Sequence, residues 1–346
     1  MNSSGHIVFI QDDPRRFGRS FISVFLSGLA VCALSALPVE VVHAQSSASR
    51  DSKPAAQQAK APASRGRVDW LDLQVRLDRL GLSPGELDGA TGRNSREALK
   101  ALQQREGFAP TGRPDAATVA ALLQASPEPT LTTYTVTATD TEGPFTPDIP
   151  ADLTEQGALE RLAYRDLREM IAERFHASPA LLDRLNPGAE WKAGAEVRVP
   201  AVPALELPTP GARDTAPDRT AALVVVSDTT KSLKALDAGG AILLHAPVTV
   251  GSEHDPLPIG DWQVLGVFFQ PKFHYNPDLF WDADPSHAKT VIPSGPNNPV
   301  GLVWIDIDKE HYGLHGTPEP GRVGHTTSHG CVRLTNWDAV RLAALV

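Results

Sequence analysis

The sequence predicts a multidomain chain: a small three-helix domain, a strand–helix–helix–strand (βααβ) module, and a mostly-β C-terminal domain of sandwich-like build. Three observations carry this. Residues 68–124 show helical periodicity, residues 134–200 bracket helical signals with strand signals, and residues 221–346 hold short apolar runs separated by turns. A chain of 346 residues has room for two or three domains. Its 30 prolines cluster, notably over 201–220, which reads as a stiff linker.

The first 44 residues read as an export signal. Arg15, Arg16 and Arg19 precede an apolar stretch from Ser20 to Leu37, which is short for a membrane span, and Val42-His43-Ala44 offers small residues at a cleavage site. An uncleaved anchor is the alternative. Residues 45–67 are rich in Ala, Ser, Gln, Pro and Lys and read as a disordered spacer. The net charge is -9, and no basic patch stands out, so nucleic acid is not an expected partner. Of the two cysteines, Cys32 leaves with the signal and Cys331 remains alone. A single cysteine in an exported chain is either reactive or buried and inert.

In the helical segment, Leu73, Leu77 and Leu80 share one face, and Gly81 ends that helix. Asp88-Gly89 makes a turn. Ala98, Leu99 and Leu102 mark a second helix, and Val119, Leu122 and Leu123 a third with Asp115 as its N-cap. The order of these signals, with Gly92, Gln103 and the Gly112–Thr118 entry, resembles the peptidoglycan-binding domain of wall hydrolases.

The second module begins with a strand at Tyr134–Val136. Leu167, Ile171 and Phe175 form a helical stripe, Ser178-Pro179 opens a second helix, and Val197 and Val199 alternate in a closing strand. The pattern resembles a LysM domain, a fold whose members bind N-acetylglucosamine-containing glycan. It departs from that family through an insertion, Thr137 to Leu162, at the loop that helps form the family's glycan site.

Strands are expected at 223–226, 233–236, 242–250, 262–269 and 302–307, with a final helix starting near Asn336. Within this domain lies HGTPEPGRVGHTTSHGCVRLTNWD, from His315 to Asp338. A free cysteine is mostly un-ionised at neutral pH, so Cys331 as a nucleophile needs an imidazole to take its proton. His329 lies two residues away, and His315 sixteen residues upstream on a separate segment. Eight histidines lie between 245 and 329 (His245, His254, His274, His287, His311, His315, His325, His329), yet no HExxH is present and their spacings match no common zinc pattern. No metal is expected.

His315-Gly316-Thr317, Gly324, Ser328-His329-Gly330-Cys331, Val332-Arg333-Leu334, Asn336 and Asp338, in that order, resemble the L,D-transpeptidase (YkuD-type) catalytic domain. The likeness extends upstream through PLPIGDWQV, FHYNPDLFWDADPSHA and GPNNPVGLVWIDI, and covers residues 221–346. The family domain usually continues past this helix into a final strand; here the helix starting near Asn336 runs to Val346, so either this member lacks that strand or the sequence is shortened. The resemblance implies that Cys331 attacks the third residue of a peptidoglycan stem peptide, that His315 is the base with the Gly316 carbonyl fixing its tautomer, and that Gly330 and Cys331 offer oxyanion donors. It implies no cofactor, peptidoglycan stem peptides and glycan strands as partners, a place on the periplasmic or wall side, and acylation of Cys331 by carbapenems.

For the acceptor, a second stem peptide gives crosslinks, a protein lysine gives anchoring, and water gives an L,D-carboxypeptidase. A non-catalytic wall-binding protein is the remaining alternative, against which the His315/Cys331 pair argues. His329 either shapes the pocket or meets substrate, and Ser328 either bonds its own loop or meets substrate, with Thr317 beside them as a further substrate-side candidate. Arg333 either binds a substrate carboxylate or pairs with Asp338. Tyr275, Phe280 and Trp281 either line the substrate groove or belong to the core.

Overall fold

The computed structural model describes residues 6–11, 68–207, 209 and 221–346. The expected signal beyond residue 11, the spacer over 45–67 and most of the 201–220 linker lie outside the described residues.

The helical domain comprises α1 (Trp70–Arg79), α2 (Arg93–Arg105) and α3 (Ala116–Ala125). Leu73, Leu77, Leu99, Leu102 and Leu122 form its core, matching the periodic positions. Asp115 caps α3 by accepting the Thr118 N–H at 2.9 Å. The Gln103 amide ties the α2–α3 loop together, bonding Thr118, Thr111 and the Arg113 carbonyl while accepting from Gly112 N–H. Because the loop's polar groups are paired inside the domain, the chain turns without leaving buried donors unmet.

In the second module, β2 (Leu131–Thr135) pairs antiparallel with β3 (Glu196–Pro200), and α6 (Leu167–Arg174) and α7 (Pro179–Leu185) pack beside them. This is the expected strand–helix–helix–strand order. The inserted stretch carries two short helices, α4 (Ala138–Glu142) and α5 (Leu153–Gln156).

The C-terminal part holds β4 (Leu223–Ser227), β5 (Ser232–Leu236), β6 (Ile242–Pro247), β7 (Gly260–Phe269), β8 (Phe273–Tyr275), β9 (Thr290–Ile292), β10 (Val303–Ile307), β11 (Gly313–His315), β12 (Val332–Arg333) and α8 (Asn336–Ala343). One more strand joins them from the other end of the chain, β1 (His6–Ile10). The eight-stranded sheet runs β12-β11-β10-β7-β1-β4-β5-β6. β7 turns the corner between two half-sheets: Gly260–Gln263 pair with β1 and Val264–Phe269 with β10. At the far side, Thr249 and Arg333 exchange backbone hydrogen bonds of 3.0 and 2.8 Å, so the two ends of the sheet meet. The sandwich is therefore joined on both sides around one core, which includes Val224, Val226, Leu244, Ile305, Leu314 and Trp337.

β1 differs from the sequence expectation, which assigned residues 1–44 to one export segment. Its register with β4 is parallel, His6↔Leu223 to Ile10↔Ser227. Ile7 and Phe9 point into the core at 0% and 1% exposure. Period-2 alternation over five residues fits a strand, but a run this short beside the signal's basic residues gave no cue to a partner. Cleavage after Ala44 would remove a strand from the middle of the sheet.

The modules interlock through backbone and charge. Ser83 N–H donates to the His245 carbonyl and His245 N–H to that of Gly81, each at 2.8 Å, which joins the helical domain to β6. Leu87 N–H donates to the His176 carbonyl, and Ser178 N–H to that of Leu87. At the centre sits Asp78, wholly buried on α1. It accepts two 2.9 Å bonds from Arg341 of α8 and one of 3.0 Å from His176 Nδ1. Burial alone would raise the Asp78 pKa, but Arg341 and His176 outweigh it and hold the carboxyl below the usual range. Removing one partner of such a pair strands the other charge in the interior. Arg341→Ala is expected to lower the unfolding free energy by about 3–5 kcal/mol, measured by urea denaturation.

Candidate active site

β11 and β12 lie parallel at one end of the sheet, in register Leu314↔Val332 and His315↔Arg333. This pairing brings His315 next to the loop that ends in Cys331. The Leu334 N–H donates to the His315 carbonyl at 2.8 Å and locks the register. His315 is 4% exposed, stacks on Trp304 (centroids 5.5 Å, 16° between planes), and bonds the Gly316 carbonyl through Nδ1 at 2.7 Å. A carbonyl only accepts, so Nδ1 carries the proton and Nε2 is the free base.

Burial and the nearby Arg333 charge push His315 down to about 3, against a partial rise from the Gly316 bond. Cys331 is pushed up to about 11, mainly by burial, which the Gly313 backbone and Arg333 only partly offset. At rest Cys331 is a thiol and His315 a neutral imidazole. The Cys331 sulfur lies 3.7 Å from the His311 carbonyl, to which its S–H donates. The preceding Gly330 has φ +100°, and a Cβ there would lie 2.5 Å from the Tyr312 ring. Only glycine meets both demands.

Asn336, wholly buried at the start of α8, holds the loops together from behind. Its Oδ1 accepts the Leu302 N–H at 2.9 Å, and its Nδ2 donates to the Pro296 carbonyl at 3.1 Å and to Glu173 Oε1 at 2.5 Å. Oδ1 occupies the space that a Cβ would need at either Gly301 or Gly316. The carbonyl that fixes the His315 tautomer thus belongs to a glycine pressed against Asn336. Burial raises Glu173 to about 8, against the lowering effect of the Asn336 bond, so the carboxyl is largely neutral at pH 7.

Residues 221–346 match the L,D-transpeptidase catalytic domain. Residues 67–122 match a peptidoglycan-binding domain. The L,D-transpeptidase YkuD of Bacillus subtilis is 27% identical over 183 residues, covering 52% of this chain and 88% of that protein. YbiS of Escherichia coli K12, also named an L,D-transpeptidase, is 26% identical over 179 residues, covering 49% of this chain and 54%, about half, of its own length. The structure of L,D-transpeptidase 3 from Mycobacterium tuberculosis, in complex with a faropenem-derived adduct, is 17% identical, covers 46% of this chain and 72% of that one, and gives a TM-score of 0.30.

Around the Cys331 thiol, the remaining sequence candidates separate. Ser328 is buried and its hydroxyl donates to the Cys331 carbonyl at 2.6 Å, so it bonds its own loop. Thr317 is likewise buried, and its hydroxyl accepts the Glu319 N–H at 3.3 Å. Arg333 does not pair with Asp338: that carboxylate faces Ser83, Thr335 and Arg341. Arg333 Nε is buried without a hydrogen-bond partner, next to the sulfur. Tyr275 is core, at 3% exposure, with its hydroxyl on His287 Nδ1 at 2.9 Å. Trp281 is 58% exposed and stacks on His254 at 4.2 Å. His329 Nε2 bonds Asp282 Oδ1 at 2.8 Å, and its ring meets Phe280 edge-on at 5.0 Å.

Asp282, Tyr312 and Glu173 were not singled out from the sequence. Asp282 lies within the FHYNPDLFWDADPSHA segment, but nothing local signals its pairing with a residue 47 positions on. Among the described residues, no three of His, Cys, Asp and Glu converge as metal ligands.

A raised thiol pKa has a definite signature. The thiolate fraction of Cys331 should climb about tenfold per pH unit through pH 7–10, while an ordinary cysteine levels off near pH 9. Iodoacetamide labelling rates followed by mass spectrometry should show that climb. A plateau below pH 7 would mean a preformed thiolate–imidazolium pair.

Proposed function

We propose that this protein is a peptidoglycan L,D-transpeptidase in which Cys331 attacks the carbonyl of the third stem residue, meso-diaminopimelate in a tetrapeptide. The observation that carries the reading is the His315 tautomer: with Nδ1–H spent on the Gly316 carbonyl, Nε2 is the one imidazole nitrogen with a free lone pair.

Nε2 takes the thiol proton as sulfur bonds to carbon. The tetrahedral oxyanion is received by backbone N–H groups of Gly330 and Cys331. Collapse breaks the C–N bond, and the imidazolium returns its proton to the departing D-Ala amine. The acceptor amine then attacks the thioester and loses its proton to Nε2; collapse breaks the C–S bond, the crosslinking amide forms, and the imidazolium returns the proton to the Cys331 thiolate. A neutral resting pair suits this sequence, because the imidazole gains charge only as the oxyanion forms.

The unpaired Arg333 Nε supports a role in binding a substrate carboxylate. His329, oriented by Asp282, and the exposed Trp281 supply one wall of the groove. The peptidoglycan-binding match over 67–122 supports the wall polymer as partner, and the strand–helix–helix–strand module is read as LysM-like. The same reading takes the enzyme to act on the wall side of the membrane, where its peptidoglycan substrate lies.

Incubation with a disaccharide tetrapeptide, followed by mass spectrometry, tests the reaction. A dimer lacking one D-Ala is expected from the wild type and none from Cys331→Ala. Tripeptide alone would make water the acceptor and the enzyme an L,D-carboxypeptidase. A product attached to a lysine-containing protein would make it an anchoring enzyme, and no product at all would sink the reading. Imipenem should add its mass to the wild type and leave Cys331→Ala unlabelled.

A further inference from the structure

The insertion Thr137–Leu162 has no role in the reaction as described, yet it packs under the active site. β8 and β9 form a two-stranded sheet of their own, three residues each, outside the eight-stranded sheet. A hairpin of that size has marginal stability by itself. Its support comes from the insertion. Leu162, Tyr275 and Ile292 are buried together, with Ile149, Leu153, Leu159, Phe273 and Phe280 packed around them.

Polar contacts fix the register of this packing. Asp152 Oδ2 bonds His287 Nε2 at 3.1 Å, and His287 Nδ1 bonds the Tyr275 hydroxyl. Leu162 N–H donates to the Ser294 carbonyl at 3.1 Å, and its own carbonyl accepts from Asn297 N–H at 3.0 Å. Gly157 lies so close to β9 that a Cβ there would overlap Thr290 Oγ1 and stand 3.3 Å from its Cγ2, with the Thr154 carbonyl oxygen at 3.2 Å. The segment joining β8 to β9 carries Phe280, Trp281 and Asp282, the residues that meet His329 two positions before Cys331.

We propose that the insertion is a positioning element: it holds the β8–β9 hairpin so that Phe280, Trp281 and Asp282 close one wall of the Cys331 groove and set its grip on the acyl donor. The inference rests on the transpeptidase reading for its kinetic part and on packing alone for its structural part.

Gly157→Val is the direct test. Gly157 has φ -62°, so the substitution is a steric wedge without backbone strain. In the full chain, amide exchange across 273–292 should accelerate at least tenfold. The KM for the tetrapeptide donor should rise by a similar factor, with kcat within about threefold of wild type. Thr290→Ala removes Oγ1 and Cγ2, and Gly157→Val/Thr290→Ala should recover both properties. Should Gly157→Val not fold, Asp152→Ala, which severs the His287 link, is read in the same two ways. Folded variants with unchanged hairpin exchange and unchanged KM overturn the proposal. A wild type inactive on every donor would defeat the reaction reading, while the exchange data would still uphold or overturn the buttress.

Discussion

A single buried carboxylate, Asp78, ties the three modules into one body. It lies on the first helix of the peptidoglycan-binding-like domain, accepts a bidentate pair from Arg341 beside the catalytic motif, and bonds His176 from the second module. His176 in turn stacks on Trp337 at 5.0 Å and 8°. A buried charge is tolerable only where its partners are held in good geometry. The demand of Asp78 for both a guanidinium and an imidazole therefore fixes where the helical domain and the second module sit against α8. The β6 contact through Ser83 and His245 and the Ser83–Asp338 bond of 2.8 Å follow from that placement.

The same α8 carries the active site's main brace. Asn336 bonds the Leu302 amide, the Pro296 carbonyl and Glu173, and its side chain fills the gap between Gly301 and Gly316. The geometry of His315 is thus set from two directions. The β11–β12 register sets it opposite Arg333, two residues past Cys331, and Asn336 backs the glycine whose carbonyl fixes the imidazole tautomer. Both groups rest uncharged, the His315 imidazole pushed down and the Cys331 thiol pushed up chiefly by desolvation.

The second module takes an unexpected part in this arrangement. Its fold order agrees with the sequence reading, but its contacts run toward the catalytic domain: Glu173 reaches Asn336, and the insertion reaches the β8–β9 hairpin. Two of its segments, the Glu173 helix and the insertion, face the neighbouring domain rather than open surface.

Motifs that act through neighbours in sequence were legible without coordinates. The periodic leucines of α1 and α2, the Asp115 and Ser178 caps and the longer strands follow from short-range periodicity or local chemistry, while the order of residues from His315 to Asp338 speaks through a family resemblance. Strands of two or three residues, such as β8, β9, β11 and β12, carry too few positions for a period to emerge. The sequence by itself determined the helical domain, the strand–helix–helix–strand order of the second module and the mostly-β build of the C-terminal domain, and it pointed to Cys331 and His315 as candidates. Only the tertiary structure decided that residues 6–10 complete the sheet, that Arg341 rather than Arg333 meets Asp338, that Ser328 bonds its own loop, and that Asp282 and Glu173 belong to the site. Each of these joins residues that the chain brings together by folding, and such a pairing leaves no trace in either partner's own neighbourhood.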